Sequence, residues 1–287
     1  MGVDQLRELT PRAVLDVALV AGHLERSLLG VGSEDAAVRA AQEADEAGYA
    51  MVLCQPDHVA GVAQVVTSTP IGTAIEFEAP GTGCHSLAEI QRRARSAVDD
   101  GAAALGLVWN QDRHKRDGPL RLAQEVRAVQ RELAAVAGST TRLLLDCRHM
   151  PAHDTLEAAR AAAGAGANSF ATAGWYTRSN RFLEAMRLRA AMGLDVQIKW
   201  AREIHSLPVL LLTLAEGIDR VHGDIAALLA QADAASNVTL PRARVDFLPA
   251  LDALETLSRC NKRVPRSAMR AVDGRFSRTA SWAVASA

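Results

Sequence analysis

The sequence predicts a single TIM (β/α)8 barrel, on three observations. Its 287 residues lie close to the roughly 250 typical of that architecture. Short apolar, β-rich runs alternate with Ala-, Arg- and Glu-rich segments of helical period, the pattern of repeated βα units. Glycines stand where helices would hand over to strands, supplying the left-handed backbone that ends a helix. With 49% hydrophobic residues and a mean hydropathy of +0.01, the chain can bury about three quarters of its extended surface. Disorder throughout is excluded.

Taken in order, residues 1–22 read as a helix leading in, followed by a first strand at Leu24–Leu29. Ser33 can cap a helix at Glu34–Ala47, and Gly48 ends it before a second strand at Ala50–Cys54. A third strand, Gly72–Glu78, leads to Ser86 as cap of a helix at Leu87–Asp99, with Gly101 before a fourth strand at Ala104–Asn110. The helix Leu120–Ala137 then precedes strand five, Arg142–Cys147, and the helix Asp154–Ala165 with Gly166 precedes strand six, Ser169–Gly174. The helix Ser179–Met192, strand seven at Asp195–Ala201, Gly217 and strand eight at Asp219–Asp224 complete the set. About 25 residues per unit suits a minimal barrel better than a sandwich or bundle. Residues 1–235 therefore form the barrel domain with its N-terminal helix, and 236–287 a C-terminal extension, with a helix at Leu248–Leu257 and a loose tail.

Lys plus Arg is 32 and Asp plus Glu is 33, so no overall field draws in phosphate backbones or anionic lipids, and nucleic acid is not expected as a partner. The longest apolar stretches, Leu207–Ala215 and Ala13–Gly22, are shorter than the roughly 18 residues that span a bilayer, so a cytoplasmic protein without a membrane partner is expected. Cys54, Cys84, Cys147 and Cys260 lack the spacing of a disulfide framework or structural zinc site. Only three of the 32 basic residues are lysines, Lys115, Lys199 and Lys262. Chemistry that needs a primary amine has few places to occur.

The run HLERSLLGVGSEDAAVRAAQEADEAGYAMVLCQPDHV, residues 23–59, resembles the first two βα units of the 2-deoxyribose-5-phosphate aldolases, a class I aldolase family. GTAIEFE and DDGAAALGLVWN resemble that family's strands three and four, RLLLDCRHMPAHDTLEAARAAAGAGANSFATAGWYT its strands five and six, and DVQIKWAREIHSLPVLLLTLAEGIDRVHGD its strands seven and eight. The departures fall at the chemistry. The family's Schiff-base lysine on strand six corresponds to Ala171, and its strand-four aspartate to Gly106. The glycine pair of its phosphate site becomes Arg202 and Glu203, and its strand-eight serine and glycine run becomes Val221, His222, Gly223 and Asp224. What persists is Lys199, matching the second lysine on strand seven, with Glu25 and Ser27 for the strand-one acid and hydroxyl.

Lys199, Glu25 and Asp146 are the candidate catalytic residues: an amine on a strand, and two acids on strands where charge is costly unless paired or functional. Each also has a structural explanation as an ion-pair partner. Glu76 and Glu78 share one face of strand three. Candidate substrate contacts are Ser27, Asn110, Trp109, Arg148, Trp200 and His222, with Trp175, Tyr176 and His205 near the same strand ends. Trp109, Trp175, Tyr176 and Trp200 would form an aromatic rim, or pack in the core. His149 and His153 are spaced i,i+4, but Pro151 interrupts them and no third ligand is evident, so no metal is expected. Reactivity at Cys54 or Cys147 would require an electropositive setting.

These readings together lead to an aldolase-like enzyme of lyase type, making or breaking carbon–carbon bonds in a small, unphosphorylated carbonyl compound of specialised biosynthesis. The family's usual cleavage of deoxyribose phosphate is not expected. No cofactor is expected, the partner is a small-molecule substrate, and a homo-oligomer is open. The alternatives are an amine-independent cyclase or isomerase working through acid and base groups, and a catalytically silent barrel that binds a partner.

Overall fold

The computed structural model describes residues 20–75, 86–147, 149–172 and 182–236. Eight parallel strands close into a barrel in sequence order: β1 (Leu24–Ser27), β2 (Met51–Cys54), β3 (Ile71–Ala74), β4 (Ala104–Trp109), β5 (Thr140–Leu145), β6 (Ser169–Thr172), β7 (Gln197–Ile204) and β8 (Arg220–Gly223). The helices are α1 (Glu34–Glu46), α2 (Val59–Ala63), α3 (Leu87–Asp99), α4 (Gln111–Leu133), α5 (Ala152–Gly164), α6 (Phe182–Met192), α7 (Leu207–Ala215) and α8 (Ile225–Ser236). By internal contacts the described residues form two units. One, Ala21–Glu203 with Ile218–Asp224, carries the strands and α1 to α6. The other contains α7 and α8, joined through Gln231, which accepts from the Leu207 amide at 2.9 Å and donates to the His205 carbonyl at 2.6 Å.

The predicted punctuation is where the chain turns. Gly48, Gly101, Gly166 and Gly217 have φ of 74°, 108°, 112° and 79°. At Gly101 a Cβ would also come within 2.8 Å of the Ala63 methyl, so that turn suits only a residue without one. Ser33 accepts from the Ala36 amide at 3.4 Å and Ser86 from the Glu89 amide at 3.1 Å, capping α1 and α3.

Several boundaries differ from the sequence reading by a few residues, β7 for example ending at Ile204 rather than Ala201, and one helix start differs by more. α4 begins at Gln111 rather than Leu120, because Asn110 caps a helical first turn and the chain breaks only at Gly118 (φ 71°, ψ 171°), ahead of Pro119. The lead helix, the C-terminal extension beyond 236, Glu76, Glu78, Arg148, Trp175, Tyr176, Cys84, Cys260 and Lys262 lie outside the described residues.

Neighbouring strands in register share a face, and alternate residues share one along each strand. One row therefore holds Val108, Leu144, Ala171 and Lys199. Two residues earlier a second row holds Ala74, Gly106, Arg142, Ser169 and Gln197. Across the closure Glu25 is level with Met51 on β2 and His222 on β8. The lumen is thus small-sided on β3, β4 and β6 and charged on β1, β5, β7 and β8. Space left by alanines and glycines is what admits the long charged side chains.

Outside the lumen, Asp45 on α1 ties down the approach to β3. Its carboxylate accepts from the Thr67, Ser68 and Thr69 amides at 2.8, 3.1 and 2.7 Å and from the Thr67 and Ser68 hydroxyls at 3.0 and 2.7 Å. Burial alone would raise its pKa, but these donors outweigh it and hold the carboxyl well below the usual range. A carboxyl lowered on folding stabilises above its unfolded pKa and loses that contribution as pH falls through the folded value. Asp45→Asn is therefore expected to lower the melting temperature at neutral pH by an amount that shrinks on acidification below about pH 4. A deficit that stays constant down the titration would show that the charge of Asp45 contributes nothing.

Candidate active site

Three charged side chains meet inside the barrel. Arg142, from β5, reaches Glu25 on β1 with both terminal nitrogens, at 2.6 and 2.8 Å, while its Nε donates to Ser169 Oγ at 2.9 Å. Lys199, from β7, donates through Nζ to Glu25 Oε2. All three are buried: Glu25 is 0%, Lys199 1% and Arg142 3% exposed. One carboxylate thus faces two cations, all three side chains being shielded from bulk solvent.

Burial alone would raise the Glu25 carboxyl, but Arg142 and Lys199 outweigh it and keep Glu25 ionised. Burial lowers the Lys199 amine to about 7; Glu25 pulls it up and Arg142 pushes it down. At neutral pH a substantial fraction of this lysine is therefore free amine, the nucleophilic form. His222, inward on β8, donates from Nδ1 to the Glu25 carbonyl at 3.1 Å. Burial, with Lys199 second, lowers it to about 3, so it is a neutral ring whose Nε2 is an acceptor. Arg220, one inward position earlier on β8, donates to the Gly22 carbonyl at 2.5 Å.

Some predicted residues join this cluster and others do not. Lys199, Glu25 and His222 do. Ser27 lies two residues beyond Glu25 on the same face and is exposed, placing its hydroxyl at the mouth. Asp146 follows β5 on the face of Arg142 and Leu144, and its Oδ2 is 2.8 Å from His149 Nδ1. It lies about 13 Å along the strand from Arg142. Asn110 caps α4, its Oδ1 accepting from the Arg113 amide at 2.9 Å.

Trp109 and Trp200 have the opposite parity from the lumen rows and face the helices. Trp109 lies under Arg113, whose guanidinium carbon is 4.7 Å from the ring centre, and Trp200 packs on Phe182 at 5.0 Å. Neither lines the lumen.

Arg142 and Ser169 were missed. The available signal was period two, which puts Arg142 on the face of Asp146 in RLLLD. The thiols of Cys54 and Cys147 are each raised to about 12 by burial, which argues against reactivity.

His149 and His153 approach different acids, Asp146 at 2.8 Å and Asp154 at 2.6 Å, rather than a shared ion. Ligand atoms of His114, Asp154 and Glu157 do lie within 4.8 Å of one another. However, the Trp109 indole N–H donates to His114 Nδ1 at 3.3 Å, which leaves the ring proton on Nε2, the atom facing Glu157 at 3.3 Å. A metal at Nε2 would need that proton removed as well, whereas ligating histidines normally donate from their other nitrogen.

No protein-family model and no curated protein sequence matches this chain. Solved structures do. "QR15, an Aldolase" superposes with a TM-score of 0.65 at 19% identity over 77% of this chain and 99% of its own. The tetrameric deoxyribose-phosphate aldolase of Aeropyrum pernix superposes at 0.62 with 21% identity over 76% and 92%. The chain has the deoxyribose-phosphate aldolase fold. A phosphonopyruvate hydrolase, in complex with oxalate and Mg++, also matches, at a TM-score of 0.52 and 13% identity over 88% and 100%, so the aldolase fold by itself does not name a reaction. Ala171 and Gly106, which the sequence resemblance aligns with the aldolases' strand-six lysine and strand-four aspartate, each lie level with a lumen cation: Ala171 is in register with Lys199, and Gly106 with Arg142. Among the described residues no helix is long and apolar enough to cross a membrane.

Proposed function

We propose that this chain is a divergent aldolase-like enzyme of lyase type, using Lys199 to form an imine with a small carbonyl compound. The observation that carries the reading is a lysine inside the barrel, beside a carboxylate and an arginine, with its amine near neutrality. An amine there can add to a carbonyl and lose water, and the imine, once it takes up a proton, draws electrons from an adjacent carbon–carbon bond. The lumen supplies what that needs, with Ser27 at the mouth and the His222 Nε2 acceptor as partners for substrate oxygens, and Asp146 further out as a proton carrier.

Glu25, held ionised, positions charge rather than moving protons. The acids Glu203 and Asp224, where the resemblance places a phosphate site, favour an unphosphorylated substrate. A homo-oligomer is in keeping with the tetramer of the Aeropyrum pernix enzyme.

Incubation with acetaldehyde, glycolaldehyde or acetone and borohydride, followed by peptide mass analysis, tests the reading. The expected result is one adduct, on the peptide carrying Lys199, which three lysines make simple to assign. Absence of an adduct from about pH 6 to 9 would favour a second reading, which the burial of the same three groups supports: a charged strut within a barrel that does no imine chemistry.

A further inference from the structure

We propose that Arg142 is the positioning residue that releases the Lys199 amine for attack, by satisfying both oxygens of Glu25. The inference rests on the imine reading and deepens it. The geometry carries it. A lone Glu25–Lys199 pair would hold the lysine as ammonium, because that ion would be the only partner of a buried carboxylate. Instead the guanidinium occupies Oε1 and Oε2 at 2.6 and 2.8 Å, in the forked arrangement that suits a carboxylate. Its third contact, Ser169 Oγ at 2.9 Å, fixes the fork from a neighbouring strand.

When Lys199 gives up its proton, Glu25 keeps two charge-assisted hydrogen bonds and one full counter-charge, so nothing buried is orphaned. The groups facing the amine agree with this. Glu25 on β1 attracts its proton; Arg142 on β5 and Arg220 on β8 repel it; His222 on β8 is neutral; and the level neighbour on β6 is Ala171, which carries no charge.

The step this permits balances without an added reagent. The amine lone pair forms the N–C bond while one N–H proton passes to the carbonyl oxygen. The second N–H proton then leaves with that hydroxyl as water, giving C=N. Arg142 touches neither substrate nor reacting atoms, and acts through Glu25.

Selective 15N-lysine labelling tests it without any substrate, since three ζ-nitrogen signals arise and Lys199→Arg identifies the one that matters. Arg142→Met, confirmed folded by circular dichroism, is expected to raise the Lys199 midpoint by at least about one pH unit, cutting the neutral fraction at pH 7 from about one half to about one tenth. Arg142→Lys keeps a cation but cannot hold both oxygens, and its midpoint is expected between the two; it also serves if the methionine variant does not fold. A midpoint equal to wild type in either folded variant overturns the proposal. If the midpoints shift as expected but wild-type protein traps no acetaldehyde with borohydride, the imine reading fails while the control of the amine by Arg142 stands.

Discussion

Glu25→Ala is expected to cost about 3–5 kcal/mol of folding stability, the usual penalty for removing one partner from a buried ion pair. The reason is arithmetic of charge in a dry space. With Glu25 gone, Arg142 and Lys199 lose their shared counter-ion, and Arg220 adds a third like charge on the neighbouring strand. Lys199 can answer by staying neutral, since its amine already titrates near 7; the guanidinium cannot, and carries most of the cost. Against the 5–15 kcal/mol that a domain usually has, this approaches unfolding. Urea denaturation measures it. A loss below about 1 kcal/mol would mean that water reaches the lumen and the three groups are solvated rather than paired.

At about pH 7, Lys199→Met should behave in the opposite way, abolishing borohydride trapping while leaving stability within about 1 kcal/mol of wild type or above it, as apolar replacements of buried ions often do. Glu25 retains Arg142 on both oxygens, so no charge is abandoned. The difference between the two proteins should also depend on pH with a definite sign. Lys199 is lowered on folding from an ordinary lysine value to about 7, so between about 7 and 10 the unfolded chain holds a proton that the native chain does not. Wild-type stability therefore gains up to about 1.4 kcal/mol per pH unit over that range from this group alone. The methionine variant lacks the gain. Parallel stability curves for the two proteins would show that the lysine titrates normally.

Much of the barrel is readable from local pattern, because what ends a helix or starts one is local. Ser33, Ser86 and the four glycines signal their roles within a few residues, and the structure uses each as expected. The break at Gly118–Pro119 misleads because it looks like a loop, so the capped turn ahead of it is overlooked. The candidate site is less readable for a different reason. Glu25 meets Arg142 across 117 residues and Lys199 across 174, and no spacing rule says which long side chains reach across a lumen to a given acid. Lys199 stands out through rarity, but an arginine among many arginines does not. Of the two readings open for the aromatic residues, Trp200 follows packing against the helices for a simpler reason: once Lys199 points inward, period two turns it outward.

The level placement of Ala171 beside Lys199 means that a reactive nitrogen can be relocated by one strand, about 5 Å around the circumference, without altering a main-chain hydrogen bond. The pair Ala171→Lys and Lys199→Ala would move it from one stave to the next. In such a scaffold the address of the reactive group is set by side-chain choice alone, and the ladder tolerates either choice.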